Sequence, residues 1–240
     1  MKELKIDDPN TWSQELISFV KEINKKVIYV NSYHEVSWVG GVLSDSEFSN
    51  LYEILNNAGS IRAFHYTRLL PHEIEDVKVR GLHIFSKKLF SKKIYDAVKY
   101  GFIEPYQALP LIEGCLPCST PSQNNSRSAI CYTTEYFYNE SDPDIEHLVK
   151  YWGGEGIHFS NYGLSRRNDL LCHLGEPIVV ECLVPVVWGR DYVSGNIENQ
   201  LVLGYRGCSK IPGIEIHQKD ILLPGNIVQI CKFDEFKDEE

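Results

Sequence analysis

A histidine and a threonine two residues apart could act together on a ligand. His65 and Thr67 follow Ile61 in an apolar run that reads as a strand. Because side chains alternate across a strand, His65 and Thr67 share one face and Tyr66 takes the other. Two polar groups at a strand end can hydrogen-bond a ribose or a carboxamide. The alternative is a core histidine with satisfied hydrogen bonds beside a threonine that only fills the strand.

A glycine-rich segment is the second candidate. Gly153 and Gly154 stand with Glu155 and Gly156 before a short apolar run that contains His158. Glycines let the backbone approach a ligand closely and adopt positive φ angles. The strand that follows would then present His158 to that ligand. The alternative is a tight turn that leads into a buried strand.

An acidic residue near the carboxyl end is the third candidate. Glu215 lies in a run that alternates apolar and polar residues, so Ile214 and Ile216 should face inward while Glu215 and His217 share the other face. A carboxylate can stabilise positive charge that develops only in a transition state. The alternative is an exposed glutamate on a strand.

The order and approximate spacing of these three candidates resemble the ADP-ribosyltransferase superfamily. In that superfamily a histidine holds the ribose of NAD and an aromatic residue after the glycines stacks on nicotinamide. A late glutamate stabilises the oxocarbenium-like ribose as nicotinamide leaves. By this resemblance His65, His158 and Glu215 are the catalytic residues, although His158 stands where the superfamily has a tyrosine. The resemblance covers about residues 61–231.

Two segments also resemble a family of uncharacterised bacterial proteins that share Phe-His-x-Thr-Arg-Leu and Tyr-Trp-Gly-Gly-Glu motifs. The matching segments here are Phe64 to Leu69 and Tyr151 to Glu155. The resemblance implies that both segments contribute to one site. It also implies these NAD-binding residues: Thr67, Arg68, Arg127, Tyr132, Gly154 and Glu155. An arginine can bind a pyrophosphate through two N–H groups, and Tyr132 is an alternative to His158 for stacking on nicotinamide.

The function implied by the resemblance is that of an NAD-dependent ADP-ribosyltransferase or NAD glycohydrolase. NAD is its substrate, and the acceptor is a protein, a nucleic acid or water. A bacterial toxin or anti-phage effector is the implied context. One alternative is a catalytically inactive relative that binds a nucleotide or a protein. The other is an enzyme or binder directed at nucleic acid through the lysines between Lys87 and Lys99.

Composition limits these alternatives. The net charge of −9 argues against a protein that coats nucleic acid with a broad basic face, and the lysines alternatively form a solvated helix face. The seven cysteines suit reduced thiols, and Cys115 and Cys118 lack the second pair that a structural zinc site needs. Without a span of about 20 apolar residues or the apolar core of a signal peptide, we expect a cytoplasmic protein with no membrane partner.

The elements that would position these residues predict an α+β fold with a mixed or antiparallel split sheet, because helices dominate early and strands late. Residues 1–60 form an α/β lead-in, residues 61–232 the ADP-ribosyltransferase-like domain, and residues 233–240 an acidic tail. Gly101 should divide the helical material between residues 87 and 113. Among the expected strands are 82–85 and 200–205, and the expected later helices cover 144–152 and 165–174.

Overall fold

The computed structural model describes residues 3–26, 30–33, 36–39, 43–113, 129–137, 142–143, 145–154, 165–208, 211 and 213–235. Within them helices and strands are mixed in the manner of an α+β protein, so that fold class is confirmed. The helices are α1 (Gln14–Lys26), α2 (Asp45–Ala58), α3 (Pro71–Arg80), α4 (Lys87–Lys99), α5 (Pro105–Glu113), α6 (Glu146–Lys150), α7 (Ser165–His173) and α8 (Ile197–Tyr205).

The strands form a seven-stranded sheet and a separate hairpin. They are β1 (Glu3–Leu4), β2 (Val30–Tyr33), β3 (Val36–Val39), β4 (Ser60–Leu69), β5 (Ile130–Thr133), β6 (Glu176–Val184), β7 (Tyr192–Ser194), β8 (Glu215–Gln218) and β9 (Ile227–Lys232). The sheet has the order β7-β8-β5-β4-β6-β9, and β1 pairs with β4 in parallel. Strands β7 and β8 are antiparallel, as are β2 and β3 of the hairpin.

The chain divides into two compact units that are not consecutive in sequence. The first comprises Met1–Ala63, Cys131–Glu135 and Cys182–Gln218. The second comprises Phe64–Ile130, Tyr136–Glu181 and Lys219–Glu240. The expected lead-in therefore belongs to a unit that also contains β7, α8 and β8.

The core of the first unit includes one face of α1 and one face of α2. Leu16, Val20 and Ile23 are buried on α1, at the spacing that brings side chains onto one side of a helix. On α2, Leu51 and Leu55 are fully buried in the same way. At the start of α2 the Glu47 carboxylate accepts from the Ser44 backbone N–H at 3.0 Å, which satisfies one of the N–H groups that a helix leaves open.

The expected strand at residues 200–205 is wrong, because these residues form the second half of α8. Asn196 caps this helix by accepting a hydrogen bond from the Asn199 backbone N–H at 3.1 Å. Every residue from Ile197 to Gly204 is buried. A helix buried on all sides carries no polar face, so the Leu201 to Leu203 run resembles a buried strand in sequence.

The second unit packs α4, α5 and α7 around Phe90, Ile94, Leu111 and Trp152. The helical material after residue 87 divides near Gly101, which has a φ of +75°, as expected. The expected strand at residues 82–85 is wrong, because only Leu82 forms a β-bridge, to Leu222. Its neighbours lie in the short connection before Ser86, which caps α4 by accepting from the Leu89 N–H.

The remaining elements follow the sequence more closely. The later helices appear in shortened form as α6 and α7. Strand β4 continues to Leu69, so His65 and Thr67 lie within the strand and not at its end. No helix among the described residues combines the length and apolar character needed to cross a bilayer.

Candidate functional site

Glu215 begins β8 in the first unit, and its side chain is 66% exposed. The neighbouring Ile214 and Ile216 are buried, and His217 lies two residues further on the same face as Glu215. The alternation expected from the sequence is therefore confirmed. It directs a carboxylate and an imidazole away from the core, where they can meet a ligand.

Strand β7 supplies two neighbours to this carboxylate and imidazole. The register of the antiparallel pair places Ser194 opposite Glu215 and Tyr192 opposite His217. The Ser194 hydroxyl donates a hydrogen bond to Glu215 Oε2 at 3.2 Å, and His217 Nε2 lies 3.5 Å from the same oxygen. The carboxylate is thus oriented from two sides while most of its surface stays open to water.

The other ring nitrogen of His217 faces a thiol. His217 Nδ1 lies 3.8 Å from Cys131 Sγ on β5, and Cys131 is exposed. The Tyr192 ring meets the His217 ring edge to face, with centroids 5.2 Å apart. We call Cys131, Tyr192, Ser194, Glu215 and His217 the Glu215 face. Cys131 and Ser194 could not be identified from the sequence, because only the pairing of strands distant in sequence brings them to Glu215.

Tyr132 lies next to Cys131 on β5 but points into the interior. It is 3% exposed, and its hydroxyl donates to Gln218 Oε1 at 3.1 Å. Burial is the main reason why its pKa is raised far above the ordinary value, and the nearby groups Cys182, Cys131 and Asp191 add to the effect. The phenol therefore stays neutral and acts as a hydrogen-bond donor in the core. Its stacking on nicotinamide stays a prediction.

His65 and Thr67 lie on β4 in the second unit, and both are half-buried. Phe64 and Tyr66 are buried on the opposite face, so the expected alternation is confirmed. The Tyr66 hydroxyl accepts a hydrogen bond from the Phe137 backbone N–H at 3.0 Å. Ribose binding by His65 and Thr67 stays a prediction.

Arg68 follows on the same strand and binds the protein backbone. Its Nε donates to the Leu174 carbonyl at 2.7 Å, and its Nη1 donates to the Val149 carbonyl at 3.2 Å. These contacts hold the C-terminal ends of α6 and α7 against β4. Since two of its five N–H donors are used in this way, Arg68 has a clear structural role. Its contact with a pyrophosphate stays a prediction.

Glu73 links the residue that follows the first sequence motif to Trp152 of the second, and sequence reasoning missed it. Its Oε2 accepts from the Leu70 backbone N–H at 2.8 Å and from Trp152 Nε1 at 2.7 Å. Its Oε1 lies 3.1 Å from Lys93 Nζ, and its side chain is only 8% exposed. We call Arg68, Glu73, Lys93 and Trp152 the Glu73 junction. The signal in the sequence was Glu73 two residues after Pro71 at the start of a helix. A glutamate at the third position of a helix typically accepts a hydrogen bond from the backbone N–H of the N-cap residue.

Glycines shape the backbone beside the Glu73 junction. Gly153 and Gly154 have φ angles of +84° and +56°, as their sequence predicts. Gly175, with φ +69°, lies where a Cβ would come within 2.5 Å of the Leu69 carbonyl oxygen. The absence of a side chain at residue 175 therefore lets the chain pass close to the end of β4, one residue after the carbonyl that Arg68 binds.

The lysines proposed to bind nucleic acid are partly engaged within the second unit. Lys92 Nζ lies 2.6 Å from Asp96 Oδ2, and Lys93 belongs to the Glu73 junction. Lys99 Nζ lies over the Tyr100 ring, 5.4 Å from its centroid. These contacts within the unit weaken the positive field of the helix. A nucleic-acid backbone would need that positive field for binding.

Several expected site residues lie outside the described residues. They are Arg127, Glu155 and His158, and the pair Cys115 and Cys118 also falls there. Within the described part of the chain, no group of three or more histidine, cysteine or acidic side chains is arranged to hold a metal ion. Comparison with known proteins finds no match among family models, curated proteins or solved structures.

Proposed function

We propose that this chain is an NAD-dependent ADP-ribosyltransferase or NAD glycohydrolase with an ADP-ribosyltransferase-like α+β fold. Glu215 is the residue that stabilises the transition state. The acceptor of ADP-ribose is a protein or nucleic acid, with water as the acceptor in the glycohydrolase case. The order of the sequence motifs suggests this reaction, and the surroundings of Glu215 support it.

The observation that carries the proposal is the state of the Glu215 carboxylate. It is largely exposed, yet the Ser194 hydroxyl and the His217 imidazole fix its direction. When the bond between nicotinamide and ribose breaks, its electron pair leaves with nicotinamide and positive charge develops on the ribose carbon. A carboxylate already oriented toward that carbon stabilises the charge without reorganising. The acceptor then bonds to the same carbon and loses a proton.

The other proposed roles follow from the resemblance to the superfamily. His65 binds a ribose hydroxyl with Thr67, and His158 stacks on nicotinamide. Replacing His65 with alanine should then raise the KM for NAD more than it lowers kcat, since a residue that binds ground state and transition state alike acts mainly on KM. A fall in kcat with unchanged KM would contradict this role for His65.

The decisive experiment is incubation of the full chain with labelled NAD and a cell lysate. Wild type should release nicotinamide and transfer label to protein or nucleic acid. Glu215→Gln keeps the shape of the side chain but removes its charge, and it should lower the rate about 100-fold or more. In bacteria, expression of wild type should slow growth more than expression of this variant, as an effector that consumes NAD would.

Glu176→Gln provides the matched control. Glu176 also begins a strand, β6, and pairs on the surface with Lys232 Nζ at 3.0 Å. Its replacement should leave the release of nicotinamide unchanged, because its carboxylate has no catalytic role in the proposal. If Glu215→Gln is as active as wild type and as Glu176→Gln, Glu215 is not the catalytic carboxylate. If wild type leaves NAD intact with every acceptor fraction, the proposed activity is wrong.

A further inference from the structure

On the Glu215 face a thiol, an imidazole and a carboxylate follow one another in space. Cys131 Sγ lies 3.8 Å from His217 Nδ1, and His217 Nε2 lies 3.5 Å from Glu215 Oε2. This is the order of a nucleophile, a base and a group that orients the base. Both distances are longer than ordinary hydrogen bonds, which is common for such groups before a ligand binds. The imidazole can therefore take the thiol proton, and the carboxylate can stabilise the imidazolium that results.

Other cysteines of the described chain lie in different surroundings. Cys182 is buried. The pKa of Cys231 is raised to about 11, mainly by burial and further by the nearby Glu181 and Glu235 carboxylates. Cys172 offers the closest comparison, because its Sγ lies 3.1 Å from His173 Nδ1. However, the same Nδ1 lies 2.6 Å from the Asp169 carbonyl oxygen, and Cys172 Sγ donates to that oxygen at 3.2 Å. The Cys172 thiol therefore has a carbonyl oxygen as acceptor, and the imidazole nitrogen beside it is shared with the same oxygen.

We propose that Cys131 is a modification site at which a small-molecule disulfide forms a mixed disulfide, with His217 as the base and Glu215 as its positioning residue. The Cys131 proton moves to His217, and the thiolate attacks one sulfur of the disulfide. A new sulfur–sulfur bond forms on Cys131 while the old one breaks. The other half of the disulfide leaves as a thiolate with the electron pair, so Cys131 is oxidised and the leaving half is reduced.

This inference does not depend on the proposed NAD chemistry. The thiol reaction needs only a disulfide as co-reactant, and its readout is the mass of the peptide that contains Cys131. Cys131 is exposed, so its thiol is accessible. The neighbouring residue Tyr132 is fixed in the core, so the strand gives the thiol a rigid support. A nucleophile held in this way keeps its distance to the base.

The test follows the modification of each cysteine by mass spectrometry after incubation of the full chain with oxidised glutathione, and in parallel with iodoacetamide. At pH 7, Cys131 should react at least about threefold faster in wild type than in His217→Ala. A larger thiolate fraction outweighs the lower nucleophilicity of a more acidic thiol by about this factor. At pH 10 the two proteins should react at similar rates, because cysteine thiols are then largely ionised without help.

His173→Ala is the matched control, and it should leave the rate at Cys172 within about twofold of wild type. Glu215→Gln should slow Cys131 at pH 7 by a smaller factor than His217→Ala, as expected for a residue that acts through the imidazole. Equal rates at Cys131 in wild type and His217→Ala at pH 7 would overturn the proposal. So would a His217→Ala protein that reacts slowly at pH 10 as well, since access and not activation would then limit the reaction. Circular dichroism of each variant establishes that it is folded.

Discussion

The Glu73 junction and the Glu215 face each centre on a carboxylate, and the two carboxylates differ in burial and in how closely they are bound. Glu73 is 8% exposed and has three partners within 3.1 Å. Glu215 is 66% exposed, and its two partners lie at 3.2 and 3.5 Å. Glu73 Oε2 accepts two hydrogen bonds, whereas Oε1 accepts none from the described residues and has only the Lys93 ammonium among them as an ionic partner. Loss of any partner of such a buried carboxylate is costly, so its role is structural. An exposed carboxylate whose neighbours orient it at longer distances stays accessible to a substrate.

The contacts of the two sequence motifs show a structural role for both. Leu70, which directly follows the Phe-His-x-Thr-Arg-Leu segment, and Trp152 of the Tyr-Trp-Gly-Gly-Glu segment both donate to Glu73 Oε2 in the second unit. Arg68 of the first segment binds backbone carbonyls of the same unit. Motif residues can therefore be kept in place for the stability of a unit as well as for its chemistry.

The largest expected effect on stability comes from Glu73→Ala. Removing this carboxylate leaves Lys93 without its partner and the Trp152 indole N–H without an acceptor, which should lower the free energy of unfolding by about 3 kcal/mol. Urea unfolding followed by tryptophan fluorescence measures the loss. Glu75→Ala is the control on the same helix, because Glu75 is exposed and pairs on the surface with Lys78. That variant should lose less than about 0.5 kcal/mol. Equal losses in the two variants would contradict the structural role of Glu73.

A smaller loss is expected for Arg68→Lys. A lysine ammonium cannot reproduce the two directed contacts to the Leu174 and Val149 carbonyls, so the free energy of unfolding should fall by about 1–2 kcal/mol. The same replacement at Arg80, which pairs with Asp76 on the exposed side of α3, should have little effect. If Arg68→Lys unfolds at the same urea concentration as wild type, the backbone contacts of Arg68 do not stabilise the unit.

Trp152→Phe tests a single hydrogen bond of the junction. The phenyl ring keeps much of the buried apolar surface but cannot donate to Glu73 Oε2, so we expect a loss of about 1 kcal/mol beyond the change in ring size. A double-mutant cycle with Glu73→Ala isolates this term, because each of the two changes removes the same contact. A coupling energy near zero would show that the indole N–H does not contribute.

The smallest effect concerns Cys231, whose surroundings contrast with those of Cys131. Its folded-state pKa is raised to about 11 from the ordinary value of 9.0, mainly by burial. The stabilising contribution of the neutral thiol to the folded state is therefore complete below pH 9, and it is lost as the pH rises toward 11. Since the thiol is only partly buried, the loss should stay below about 1 kcal/mol. Unfolding of Cys231→Ala should show a flatter decline with pH over this interval, and an unchanged slope would contradict the assignment.

Local patterns in the sequence were sufficient for several elements. The division of the helical material near Gly101 and the alternation around Glu215 each depend on residues close together in the chain, and both were predicted. The strand prediction for residues 200–205 was wrong because a helix buried on every side has no polar face that would reveal its helical period. Glu73 and Cys131 were missed because their partners, Trp152 and His217, come from distant segments. Glutamate is also usually a surface residue, so composition gives no hint of its burial.

Release of nicotinamide by Glu215→Gln, measured together with its free energy of unfolding, tests the contrast between the two carboxylates most directly. We predict a rate about 100-fold or more below wild type and a free energy of unfolding within about 0.5 kcal/mol of wild type. Glu73→Ala should show the reverse: its main loss should be in the free energy of unfolding. A Glu215→Gln protein that turns over NAD at the wild-type rate, or that loses activity only because it unfolds, would contradict the catalytic role of Glu215.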